Sequence, residues 1–108
     1  MEDIVTVEDW DSAMGLDSVL ILVSRTTCVQ CGAVEDELTD SGDAVEGTEV
    51  RRLMLDDPTG FPLRVELRWL VHEVDVLPYW ALYAGSERVG SVRGGLDAAR
   101  RMLAESNG

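Results

Sequence analysis

With 108 residues, 45% of them hydrophobic, the chain holds enough apolar material for one modest core, and a single domain spanning 1–108 is expected. Asp and Glu number 21 against nine basic residues, every one of them arginine, for a formal charge of −12, so the summed field repels phosphate and argues against nucleic acid and anionic membrane surfaces as partners. No apolar run approaches the roughly 18 to 20 residues that cross a bilayer, and Met1-Glu2-Asp3-Ile4 has neither a basic nor an apolar leader segment, so cytoplasmic residence is expected.

In chain order, a short strand is expected at Ile4-Val5, followed by a helix that Thr6-Val7-Glu8-Asp9 can cap and Gly15 ends, with Trp10, Ala13 and Met14 on related faces. The continuous apolar run from Val19 to Ser24 predicts a central strand covered on both faces. A helix opening at Cys28 and running to about Thr39 comes next, with Glu35, Asp36 and Glu37 directed outward and Ser41-Gly42 stopping it. Val50 to Leu55 reads as a second strand. Phe61-Pro62 opens a helix in which Leu63, Leu67, Leu70 and Val71 recur at helical spacing, with His72 solvated at its end. Tyr79 to Ala84 and Glu87 to Val92 form a hairpin around Gly85-Ser86, and Leu96, Ala99, Met102 and Leu103 mark one face of a terminal helix. Trp10, Trp69 and Trp80 are expected to pack in the core or a groove. This order predicts an α/β fold, a mixed sheet with helices on both faces.

The two cysteines, Cys28 and Cys31, follow the central strand directly and enter a helix. So small a loop stabilises little as a structural staple, which turns attention to reactivity. Thr27-Cys28-Val29-Gln30 fits a capping box and would put Cys28 at the first helical position, where unpaired N–H groups and the helix dipole favour the thiolate, with Arg25 adding to the effect. Cys31, one turn in and on the side of Val34 and Leu38, would be sheltered. An exposed, acidified thiol beside a buried one makes an attacker and a resolver.

Four features taken together resemble the thioredoxin family over nearly the whole chain: the dithiol after the central strand, Val74-Asp75-Val76-Leu77-Pro78, the Tyr79–Gly90 hairpin, and Gly94-Gly95-Leu96 before an amphipathic last helix. The resemblance implies a thioredoxin fold, a cis bond at Pro78 that packs beside the dithiol, and substrate contacts through the Leu77 backbone together with Thr27, Val29, Gln30 and Tyr79. It implies a thiol–disulfide oxidoreductase with Cys28 as nucleophile and Cys31 as resolving thiol, no cofactor or metal, action as a monomer, protein disulfides as substrates, and a reductase or small dithiol as electron source. A second reading is a redox-sensing or partner-binding module of the same fold without general reductase activity. Where such proteins usually carry Trp before the first cysteine, Gly-Pro between the two, a buried Asp in the central strand and Thr after the cis-proline, this chain has Thr27, Val29-Gln30, Leu22 and Tyr79. With Leu22 in place of the carboxylate, Cys31 sits in apolar surroundings that raise a thiol's pKa, so slow resolution of a mixed disulfide is expected. The acidic, lysine-free composition also points to a salt-adapted source.

Overall fold

A computed structural model describes residues 1–107. Its elements are β1 (Glu2–Asp3), α1 (Val7–Met14), β2 (Ser18–Ser24), α2 (Val29–Asp40), β3 (Ala44–Val45), β4 (Thr48–Met54), a 3-10 turn (Pro58–Gly60), α3 (Phe61–Glu66), α4 (Trp69–Glu73), β5 (Tyr79–Ala84), β6 (Glu87–Arg93) and α5 (Leu96–Asn107). The strands form one mixed sheet in the order β1-β4-β2-β5-β6, with β3 paired to β4. β2 lies parallel to β4 and antiparallel to β5, so the apolar Val19–Ser24 run is the central strand that its composition demands.

Side-chain alternation along β2 and β5 divides the core in two. Val19, Ile21, Val23, Tyr79, Ala81 and Tyr83 face α1, α3 and α4. Leu20, Leu22, Trp80 and Leu82 face α2 and α5. A continuous apolar strand is therefore needed because both sheet faces carry helices.

α1 starts as the sequence requires: Thr6 accepts from the Asp9 N–H while the Asp9 carboxylate accepts from the Thr6 N–H at 3.1 Å and the Val5 N–H at 3.0 Å. Those backbone donors hold the Asp9 carboxyl below its usual range. The turn at Gly85-Ser86 has positive φ at both residues, the twist that a two-residue hairpin needs.

Several elements differ from expectation. The first strand is Glu2–Asp3 rather than Ile4-Val5, although the Ile4 N–H still donates to the Arg52 carbonyl at 2.7 Å and extends the ladder by one bond. β3 is an added strand, turned back onto β4 by Glu46 and Gly47, both at positive φ. The helix expected from Phe61 through Val71 is two helices, because Leu67 leaves the helical region with ψ 72°. Leu63, Leu67 and Leu70 remain buried across the break, whereas Val71 is 77% exposed. Beyond the break Trp69 packs on Tyr79, with ring centroids 6.2 Å apart, and lies beneath Arg88.

Candidate active site

β2 delivers the chain to the carboxyl end of the sheet at Ser24, and α2 begins after a short loop. That loop is anchored twice. The Cys28 N–H donates to the Arg25 carbonyl at 3.2 Å, and Thr26 donates both its N–H and its hydroxyl to the Asp56 carboxylate. The Thr26 donors, its hydroxyl first, hold the Asp56 carboxyl below the ordinary range.

Cys28 is the N-cap of α2, not its first helical residue, with an extended ψ of 107°. Its sulfur accepts the Cys31 N–H at 3.1 Å, so the sulfur itself fills the capping role expected of Thr27. The sulfur gains electrostatically from this position, since a backbone donor points directly at it and no acidic residue occupies the first turn of this 12-residue helix. Cys28 and Cys31 are joined as a disulfide, with Cα atoms 5.2 Å apart. Cys28 is half-buried and Cys31 fully buried, the asymmetry that an attacker and a resolver require.

The Leu77–Pro78 peptide bond is cis. Pro78 is buried, its carbonyl accepts the Gly94 N–H at 3.0 Å, and the Gly94 carbonyl accepts from the Trp80 indole at 2.9 Å. Gln30, from between the cysteines, and Pro78 line one groove of about 490 Å3 that runs toward the start of α5, with Glu37 and Asp97 as its charged residues. The structure thus brings Gln30 of the dithiol loop and the cis-proline onto one groove.

Of the remaining residues expected at the site, Thr27, Gln30 and the 87%-exposed Val29 stand at the surface, and Leu77 is half-buried. Tyr79 does not fit a substrate contact. Its ring is 2% exposed and points into the core layer under α3 and α4, because the residue after Pro78 falls on the opposite sheet face from Trp80.

One group of interactions has no signature in the sequence. Leu22 is fully buried in the central strand where the resembling proteins carry a carboxylate, yet Glu35 turns inward from α2 instead of outward. Its Oε1 accepts the hydroxyl of fully buried Ser24 at 3.1 Å and meets Arg52 Nη1 at 3.1 Å. Arg52 also makes a two-bond pair with Asp3, and these carboxylates raise its pKa further above the ordinary arginine value. Glu35 lies one turn beyond Cys31, so a carboxylate tied to both neighbouring strands sits on the helix that carries Cys31.

Many solved structures share this architecture. Thioredoxin f from spinach chloroplast superposes with a TM-score of 0.75 at 15% identity, covering 99% of this chain and 93% of that one. A chain from a complex of ferredoxin:thioredoxin reductase with thioredoxin f2 gives 0.76 at 13% identity, covering 99% and 94%. A point-mutant thioredoxin from Halobacterium salinarum gives 0.71 at 20% identity, covering 97% and 88%. No protein-family model matches the sequence, and no curated protein sequence matches it. The chain has the thioredoxin fold, with its disulfide at CxxC spacing.

Proposed function

We propose that this chain is a thiol–disulfide oxidoreductase acting on protein disulfides. The observation that carries the reading is the Cys31 N–H aimed at Cys28 Sγ across 3.1 Å at a helix start free of acidic residues, beside a groove that ends at a cis-proline. In the reduced state the same donor and the helix dipole stabilise a Cys28 thiolate.

That thiolate attacks one sulfur of the substrate disulfide. A Cys28–substrate bond forms, and the first substrate sulfur leaves as a thiolate that takes a proton from solvent. Cys31 then loses its proton and attacks Cys28 Sγ, closing the Cys28–Cys31 bond and releasing the second substrate thiolate. One substrate disulfide becomes two thiols, while the protein dithiol becomes a disulfide. A reductase or small dithiol returns the two electrons; the complex of thioredoxin f2 with its reductase, on the same fold, is consistent with such a donor.

In this reading the substrate chain lies along the groove, pairs with the Leu77 backbone and packs on Thr27, Val29 and Gln30, with Pro78 as its floor. Cytoplasmic residence and a monomer accompany the proposal, and no helix among the described residues is long and apolar enough to cross a membrane.

Turnover of a peptide disulfide with dithiothreitol as donor is the test. Wild type turns over and Cys28→Ser does not, while Cys31→Ser accumulates a covalent adduct at Cys28. Failure of wild type to turn over any disulfide would leave the redox-sensing or binding module as the function of this fold.

A further inference from the structure

Away from the dithiol, α3 and α4 expose a second surface whose character is opposite to that of the rest of the chain. Residues 61–72 carry two arginines and one glutamate, a formal charge of +1, within a chain that totals −12. Phe61 (63% exposed), Val65 (55%) and Val71 line a single recess of about 340 Å3 together with Arg64, Arg68 and His72. These three apolar residues are among only seven large hydrophobics exposed on the described surface, and the other four (Val7, Val29, Val76 and Val89) lie on four separate elements or loops.

Phe61 and Val65 stand one turn apart on α3, and across the break at Leu67 the two short helices still bring Arg64, Arg68, Val71 and His72 to the same recess. Arg64 donates to the Asp57 carbonyl at 2.6 Å, but none of the three cationic or titratable side chains enters a salt bridge among the described residues, whereas Arg51, Arg52, Arg88, Arg93 and Arg100 all do. The inward row of the same segment, Leu63, Leu67 and Leu70, already satisfies the core. Folding therefore gains nothing from the outer apolar row.

We propose that the α3–α4 face is a docking surface for a protein partner that presents an amphipathic helix with carboxylates flanking an apolar stripe. Apolar side chains fill the recess while the carboxylates pair with the Arg64–Arg68–His72 row, a helix-in-groove mode. A second copy of this chain fits poorly, because its other exposed hydrophobics are scattered and two such faces would oppose like-charged rows. An anionic bilayer is opposed by the acidic remainder of the surface.

The probes are two synthetic helices of about 16 residues, some four turns, sharing one leucine stripe flanked by glutamates in one and by lysines in the other. The whole-chain charge favours the lysine peptide everywhere, so preference for the glutamate peptide can arise only locally. The expected result is binding of the glutamate peptide about tenfold or more tighter than the lysine peptide, with amide chemical-shift changes centred on residues 61–72. Phe61→Ser, Val71→Ser and Arg68→Glu each weaken it severalfold at an unchanged melting midpoint, and Val89→Ser in β6 leaves it unchanged. Preference for the lysine peptide, shift changes elsewhere, competition by phosphatidylglycerol vesicles, or a dimer in sedimentation that Phe61→Ser abolishes would each overturn the proposal.

Discussion

At Glu35 a single side chain shows how much of this site depends on contacts that no motif announces. Its Oε1 is the acceptor for the hydroxyl of fully buried Ser24, and it also holds Arg52. Truncating it in Glu35→Ala strands that hydroxyl and should destabilise the oxidised protein by about 1–3 kcal/mol, read by urea unfolding. Ser24→Ala in the same background should recover part of the loss, since removing both partners leaves no orphan; an additive double mutant would show that the hydroxyl finds another acceptor. Asp56 gives a pH signature. Its carboxyl is depressed in the fold by the Thr26 donors, so the stabilisation is fully present above the ordinary aspartate value near 4 and is lost as pH falls through the lower folded value. Amide protection at Thr26–Cys28, relative to the intrinsic exchange rate at each pH, should therefore fall only below about pH 4, and Asp56→Ala should remove that acid-specific change. At Cys31, which sits at zero exposure, the thiol must ionise away from water before it can attack. The Cys28 mixed disulfide should accordingly persist near neutral pH and discharge faster above about pH 8, followed by stopped-flow release of a labelled thiol; pH-independent release would contradict it.

Elements whose apolar pattern is complete were legible from the residues alone. β2 declares itself because burial on both faces leaves no room for alternation, and α1 because its capping box lies entirely within Thr6–Asp9. The β5–β6 hairpin follows from Gly85-Ser86. There Ser86 takes φ 68°, a left-handed conformation that costs an L-residue about 1 kcal/mol, so Ser86→Gly should raise the melting midpoint by a few degrees. A neutral or lowered midpoint would mean that the serine side chain contributes more than its backbone costs. The dithiol's place at the head of α2 was equally readable, but its cap was not, because Thr27 could cap the Gln30 N–H as readily as Cys28 caps the Cys31 N–H, and the loop that sets the helix start is held by Asp56 from outside the motif. The break at Leu67 contains neither Gly nor Pro and keeps the Leu63, Leu67 and Leu70 periodicity intact. A pattern of buried positions is the same for one helix as for two. Likewise Glu35 reads as a solvated helix residue until Arg52 and Ser24 arrive from separate strands.

Across the whole molecule the two recesses differ in local charge. The face covered by α2 and α5 carries the groove with Glu37 and Asp97, while the face covered by α3 and α4 carries the arginine row. Self-repulsion at −12 acts over about 10 Å at 0.1 M salt and about 3 Å at 1 M. The Arg93–Asp75, Arg100–Glu46 and Arg100–Asp97 pairs have both partners exposed and are individually weak, and the net charge is far from balanced, so salt removes more repulsion than attraction. The melting midpoint should therefore rise between low and molar potassium chloride, as a salt-adapted chain requires, and a flat curve would remove that reading. The same field should select substrates. A peptide disulfide flanked by lysines enters a groove whose ionisable side chains are both carboxylates, and its kcat/KM should exceed that of a glutamate-flanked peptide by about tenfold or more at low salt, converging as salt rises. Glu37→Gln combined with Asp97→Asn isolates the local part of this preference, and Glu8→Gln with Asp11→Asn, the same charge change on α1 across the sheet, isolates the global part. If the second pair lowers the lysine preference as much as the first, the groove adds nothing to the field of the molecule as a whole. A larger loss from the first pair assigns substrate choice to the two carboxylates that line the groove.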